Sequence, residues 1–250
     1  MIIRTHAPYA AAALMLGVLL TVTPAHAVTM DVTEDVMTSS FFQGANAVRG
    51  YAGDNRPVFR VSTGNPFGTI GAETIYLAFD YDFSSFIGPV SALLTVQSTS
   101  GGFGADASAD TPFTVSAHGV AANPFSAISD DTNPGGSVSW LNFYNQSILP
   151  ADVAAHSVVT GPGAVTFDVS ALVGSWISGG NAVQVIALTG LNDTSGNEFL
   201  HGFLNNTEAP GSVFLTVSAV PEPETHAMLL AGLGLLSLAR RRQRAAGETR

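Results

Sequence analysis

Few side chains of this chain have the types and spacing that catalysis needs. Cysteine is absent, no serine lies in a Gly-x-Ser-x-Gly turn, and no His-Glu-x-x-His pair is available to hold zinc. Asp80 and Asp82 share strand parity, so a carboxylate pair that hydrolyses glycosidic bonds is the one enzymatic arrangement left open. Because a strongly acidic chain forms such pairs by chance, we predict a protein without catalytic activity.

His118 and His156 are expected to be solvated rather than catalytic. His118 has the outward parity of its predicted strand. His156 falls in a segment that we interpret as a loop or a helical turn. His201 is the third histidine between the two ends of the chain, and no nucleophile motif accompanies any of the three.

Calcium is the one cofactor that the acidic residues leave open. Loop carboxylates and amides supply the oxygen ligands that this ion prefers. Two groups of such residues are close together in the sequence: Asp31, Glu34 and Asp35, and Asp130, Asp131 and Asn133. No Asp-x-Asp-x-Asp-Gly loop is present, so no specific calcium site is predicted and no other cofactor is expected.

A cluster of aromatic and amide side chains suggests sugar binding. If strand alternation holds from Ser139, Trp140, Asn142 and Tyr144 share one face. A pyranose ring could stack on Trp140 while the amide of Asn142 bonds its hydroxyl groups. The alternative is a strand whose aromatic rings fill the core. Both interpretations remain open at this point.

The charge of the chain limits its partners. Lysine is absent, and residues 28–219 carry three arginines against 16 aspartates and glutamates, a net charge of −13. Such a surface repels nucleic-acid phosphates and anionic lipid headgroups, so no nucleic-acid partner is expected. Neutral sugars or cations are compatible with it, and solubility alone would also explain the acidity.

The segment between the ends alternates apolar and polar residues with a period of two. In residues 74–80, for example, Ile75 and Leu77 share one predicted face, and Thr74 and Tyr76 share the other. Similar runs occupy residues 91–97, 113–118, 165–169 and 213–218. Residues 182–188 are almost wholly apolar, as in a central strand. Glycine and proline turns separate the runs, so we predict an all-β antiparallel sandwich.

One segment has helical periodicity instead. Leu172, Val173, Trp176 and Ile177 fall on one helical face. Asp168 or Ser170 could cap the start of the helix, and Gly179 suits the left-handed residue that ends it. We therefore predict a short helix that closes one end of the sandwich, with Trp176 in the core.

The N-terminal residues 1–27 have the features of a secretory signal peptide. Arg4 provides the positive charge, residues 10–22 the apolar segment, and Ala25-His26-Ala27 the small-x-small cleavage site. We expect export through the Sec machinery and a mature N-terminus at Val28. The predicted body then spans residues 28–219.

The C-terminal residues 220–250 combine three features in order. Pro221, Glu222 and Pro223 form an extended, accessible stretch, because each proline fixes φ and removes a donor. An apolar run over residues 227–239 follows, and as a helix it would rise only about 20 Å, short of the roughly 30 Å hydrocarbon core. A cluster of positive charge, Arg240, Arg241 and Arg242, then follows, as on the cytoplasmic side of a membrane.

This order of features resembles a PEP-CTERM sorting signal. The resemblance implies transient membrane insertion through an apolar transmembrane helix, recognition by an exosortase-type protease, and removal of the tail. It also implies delivery to the surface or exopolysaccharide matrix of a Gram-negative bacterium. The tail indicates a destination and leaves the role of the body open.

The body resembles a DNRLRE-type domain in two stretches. The C-terminal one contains "VTFDVSALVGSWISGG", "NAVQVIALTG" and "SVFLTVSA", and the earlier one is "ETIYLAFDYDFSSFIGPVSALLTVQS". The resemblance implies a jelly-roll fold of secreted, carbohydrate-associated proteins. We therefore expect polysaccharide association, with a carbohydrate-active enzyme or a ligand-free structural surface protein as alternatives.

Overall fold

The computed structural model describes residues 27–39, 48–49, 58–63, 73–123, 125, 148–180, 182–206, 209–220 and 229–240. Residues 27–218 form one compact unit, and the two ends of the chain form another. The strands of the compact unit are β1 Ala27–Asp31, β2 Glu34–Ser39, β3 Val48–Arg49, β4 Val58–Ser62, β5 Glu73–Ala78, β6 Val90–Thr99, β7 Phe113–Val120, β8 Ile148–Val159, β9 Gly163–Asp168, β10 Val185–Thr189, β11 Leu200–Leu204 and β12 Val213–Ala219.

The strands form two six-stranded antiparallel sheets, which confirms the predicted β-sandwich. The first sheet has the order β1-β12-β6-β11-β4, with β9 paired to the other edge of β6. The second has the order β3-β2-β5-β10-β7-β8. Strand β10 is central, between β5 and β7, as the apolar run in residues 182–188 predicted.

The first sheet follows the predicted alternation closely. In β6, Ala92, Leu94 and Val96 are buried, whereas the residues between them are half-buried or exposed. The same pattern holds in β9 and β12. These three strands therefore have one face in the core and one face partly open to solvent, whereas β4 and β11 of the same sheet are buried on both faces.

In the second sheet the outward face of β5 is also covered. Every residue of β5 is buried, including Thr74 and Tyr76, which alternation assigned to the second face. Tyr76 belongs to a second apolar cluster with Val36 and Ala187, and Phe125 packs against that cluster. Parity along β5 was therefore predicted correctly, and the structure adds that its second face is covered as well.

The predicted short helix is present as α1, Ser170–Ile177. The Asp168 carboxylate accepts a hydrogen bond from the Ser170 amide at 3.1 Å, and Gly179 ends the helix with φ of 75°. Trp176 is 7% exposed and its ring lies 6.3 Å from Phe79 and 6.1 Å from Phe83, between ring centroids. Its predicted place in the core is confirmed.

Residues 229–240 of the tail form a second helix, α2. Its leucines are exposed, from 41% at Leu229 to 69% at Leu230. Within the part of the chain that the structure describes, no helix is long and apolar enough to cross a membrane. The transmembrane helix expected in the tail is therefore not found there.

Candidate functional site

Ser98, His201 and Asp106 come together in the sandwich with the residue types of a catalytic triad. Ser98 is on β6 and is paired with Phe203 of β11, two residues after His201. The Ser98 Oγ atom lies 2.6 Å from Nε2 of His201, and the other ring nitrogen, Nδ1, lies 3.4 Å from Oδ1 of Asp106. The three residues are brought together only by the pairing of β6 with β11.

The directions of the hydrogen bonds are the reverse of those that activate a serine. The Ala107 amide donates to Nδ1 of His201 at 3.1 Å, so the ring proton must be on Nε2 and is donated to Ser98. The Ser98 hydroxyl in turn donates to the Gly161 carbonyl at 3.0 Å. A general base would need a free Nε2 lone pair facing the hydroxyl, and His201 does not offer one.

Burial separates this network from any substrate. Ser98 is 1% exposed and His201 0%. Burial lowers the pKa of His201, and the nearby Asp106 carboxylate opposes that effect in part. His201 is neutral and enclosed, and both of its ring nitrogens are hydrogen-bonded. Ser98, His201 and Asp106, which we call the clamp, join β6, β11 and the loop that follows β6.

This clamp makes stability sensitive to acid. Unfolded His201 takes up a proton below its ordinary pKa of 6.5, whereas the folded site resists protonation. The contribution of buried His201 to the free energy of unfolding is therefore fully present above about pH 6.5 and is lost as the pH falls below that value. We expect the melting temperature of the mature protein to fall between about pH 7 and pH 5.

The acidic groups with shifted pKa values do not contribute in that range. Hydrogen bonds from Ser84 to Asp82 and from Ser170 to Asp168 lower these pKa values from 3.8, so their effects appear only in stronger acid. Calorimetry at several pH values provides the test, with His156→Gln as the control, because this exposed histidine is outside the clamp. A melting temperature that stays constant on acidification would contradict the assignment.

The clamp holds a glycine-rich loop, residues 100–107, against β11. Asp106 accepts hydrogen bonds from the Gly101 amide at 2.6 Å and from the Ser100 hydroxyl at 2.5 Å. The Leu200 amide donates to the Ala105 carbonyl at 2.9 Å. The loop also lies so close to Gly202 that a Cβ there would be 2.6 Å from the Ser100 carbonyl oxygen. The loop is thus fixed at both ends and along its length.

Phe103 is at the tip of this loop and is 58% exposed. Gly102 and Gly104, on either side, have φ values of 80° and 75°, which favour glycine. One face of the ring lies over the Arg60 guanidinium, with Cζ 4.9 Å from the ring centroid. The loop therefore presents a rigidly supported aromatic ring to solvent.

Below Phe103, Arg60 forms a buried ion pair with Glu73. The Arg60 Nε and Nη2 atoms donate to the two carboxylate oxygens at 2.9 and 3.4 Å. The residues are 9% and 6% exposed. The bidentate geometry and the covering ring keep both charges compensated away from water.

The predicted sugar-binding residues Trp140, Asn142 and Tyr144 lie outside the described residues. So do Ala25, the motif Pro221–Pro223, Arg241 and Arg242, and the acidic group of Asp130, Asp131 and Asn133. Ala27 is the first residue of β1, and Arg240 is the last residue of α2, where it is exposed. For these positions the predictions stay predictions.

Two histidine predictions need correction. His118 is 0% exposed and its Nε2 lies 2.8 Å from the Thr189 hydroxyl, so the expectation of a solvated residue was wrong. It is paired with Ala187 and shares the covered face of the second sheet. His156 is exposed as expected, but it lies in strand β8 and not in a loop or helical turn.

Asp80 and Asp82 do not have the strand positions that the sequence predicted for them. Strand β5 ends at Ala78, so Asp80 and Asp82 do not share a strand, and Asp82 accepts a bond from the Ser84 amide at 2.9 Å. A glycosidase acid needs a raised pKa, whereas that of Asp82 is lowered. In the described residues no three acidic or histidine side chains lie together so that they could hold a metal ion, and the calcium expectation stays a prediction.

The clamp and the Phe103 loop were not singled out from the sequence. The members of the clamp are up to 103 residues apart, so no local motif connects them. The run Gly101-Gly102-Phe103-Gly104 did carry a usable signal, since an aromatic residue among glycines rarely serves a core. It was interpreted only as a turn.

The comparison with known families concerns the tail. Residues 219–243 match the PEP-CTERM protein-sorting motif, which confirms the resemblance of the C-terminal features. No curated protein matches the chain, and the likeness of the body to DNRLRE-type domains stays a prediction. The motif begins at the last residue of β12 and includes α2. The chain is therefore an exported bacterial protein whose C-terminal signal directs it, through an exosortase, to the cell envelope or surface.

Proposed function

We propose that the mature protein is a non-catalytic component of the exopolysaccharide matrix of a Gram-negative bacterium and associates with polysaccharide there. The observation that supports this proposal is the exposed ring of Phe103 on its fixed loop. The apolar face of an aromatic ring is suited to pack against the C–H groups of a sugar ring. Because the loop is already ordered, binding would cost little conformational entropy.

The Ser98–His201–Asp106 arrangement supports the non-catalytic part of the proposal. Its serine is buried and its hydroxyl proton is donated to a carbonyl group. The Trp140 cluster remains a second hypothetical platform for the same function. A calcium ion at Asp130, Asp131 and Asn133 is likewise a prediction for that segment.

The test uses mature protein recovered from the cell surface on a glycan array, together with co-sedimentation against insoluble polysaccharides. Binding to at least one polysaccharide, without release of reducing ends, is the expected result. Release of reducing ends would instead indicate a carbohydrate-active enzyme. Absence of any binding would indicate a structural surface protein without a ligand.

The sorting signal leads to a separate prediction about the mature C-terminus. The leucines of α2 are exposed, and such an apolar surface is a liability in water unless it is inserted or removed. We expect the tail to be cleaved near residues 220–223, just beyond β12. Mass spectrometry of protein extracted from the surface measures this terminus. Mature protein that still carries residues 240–250 would disprove cleavage.

A further inference from the structure

We propose that the outward face of the first sheet is the binding surface, and that its ligand is an uncharged segment of polysaccharide. The surface runs from a groove beside Phe214 to the ring of Phe103. This inference rests on the proposed function and deepens it, since it names the site and the class of ligand.

The groove crosses several strands of the first sheet. It has a volume of about 470 Å³. Thr95 and Gln97 of β6 line it with Ala164 of β9 and the half-buried ring of Phe214 of β12. The turn before β12, which includes Ser212, forms one wall. A second aromatic ring thus lies beside a depression on the open face of the sandwich.

The groove is uncharged, although the body around it is strongly acidic. Among the described residues, no acidic or basic one lines it, whereas residues 28–219 carry 16 acidic residues and three arginines. Within the described part of the chain, neither the Thr95 hydroxyl nor the Gln97 amide bonds to another residue through its side chain. These groups can therefore bond sugar hydroxyls, and a polyanion would meet the repulsion of the surrounding carboxylates.

The groove and Phe103 occupy the same face of the sheet. Gln97 and Thr99 share one side of β6. Thr99 is paired with Gly202 of the neighbouring strand β11. Gly202 is in turn paired with Arg60 of β4, so the same face continues across the three strands. The Phe103 loop lies over Gly202 and the ring lies over Arg60. Strand spacings place the two rings roughly 10–20 Å apart, so one oligosaccharide segment could contact both.

The groove lies at the opposite end of β12 from the point where the chain leaves the sandwich. Ala27 is paired with Ser218, so both ends of the sandwich chain leave at the same end of β12. Phe214 and Ser212 lie four to six residues away along the strand, about 15–20 Å. The Tyr76 cluster covers part of the outward face of the second sheet. The groove of about 420 Å³ at one end of that sheet is lined by Glu34 and Asp80, so it is acidic, unlike the described lining of the groove beside Phe214.

The test compares variants of the mature protein for binding to neutral polysaccharides (cellulose, dextran and mannan) and to polygalacturonate. We expect Phe214→Ala and Phe103→Ala each to weaken binding to a neutral polysaccharide about tenfold or more. Gln97→Ala should weaken binding to the same polysaccharide without changing the melting temperature. This variant tests the groove even if Phe214→Ala proves unstable. The matched control is Val158→Ala, which removes a side chain that is 60% exposed on the second sheet.

The outcomes separate this inference from the proposed function. Wild-type protein that binds none of the polysaccharides would overturn both. If the wild type binds and all three variants retain that binding, the assigned surface is wrong and the proposed function still stands. Loss of binding in Trp140→Ala would then place the binding site in the Trp140 cluster. Preferential binding to polygalacturonate would overturn the neutral class of ligand.

Discussion

Replacing Trp176 with alanine is expected to lower the free energy of unfolding by about 3–5 kcal/mol, because a large buried ring would leave a cavity. The loss is a large fraction of the roughly 5–15 kcal/mol that stabilises a typical domain. Trp176 connects α1 to Phe79 and Phe83, which follow β5. Denaturant unfolding of the mature protein measures the effect, and failure to obtain soluble protein would agree with it.

Trp176→Phe is the informative control for that experiment. The Nε1–H group of Trp176 is buried and has no hydrogen-bond partner among the described residues. Phenylalanine keeps an aromatic ring in the cluster and removes this unsatisfied donor. It should therefore cost much less than alanine. Equal stability of wild type and Trp176→Ala would show that the helix face is not in the core.

Arg60→Ala is expected to destabilise the protein by about 3–5 kcal/mol, because it removes both guanidinium hydrogen bonds from the buried Glu73 carboxylate. The variant also removes the group on which the Phe103 ring rests. The first loss is measured as a lower midpoint of denaturant unfolding. The second predicts weaker polysaccharide binding under conditions where the variant is still folded.

A double variant distinguishes the ion pair from simple packing. Arg60→Met with Glu73→Leu replaces both charges by apolar groups of similar size, so no charge is left buried and uncompensated. We expect it to be clearly more stable than Arg60→Ala. If the double variant is no more stable than the single one, the cost of Arg60→Ala does not come from the loss of the guanidinium bonds to the buried Glu73 carboxylate.

The sequence predicted those elements whose environment is set by neighbouring residues. Alternation in β6, β9 and β12 identified the core face correctly, since each strand has one open face. The same rule did not show that Tyr76 and His118, which have the predicted parity, lie on a face that other residues cover. Parity is a property of one strand, whereas exposure depends on what packs against the sheet.

The sorting signal and the sandwich class were determined by the sequence itself. The signal is linear, and its prolines, apolar run and arginines act through their order along the chain. Only the tertiary structure decided the clamp of Ser98, His201 and Asp106 and the display of Phe103 over Arg60. These contacts join residues that strand pairing brings together from distant parts of the chain, and the direction of each hydrogen bond follows from the partner that the fold supplies.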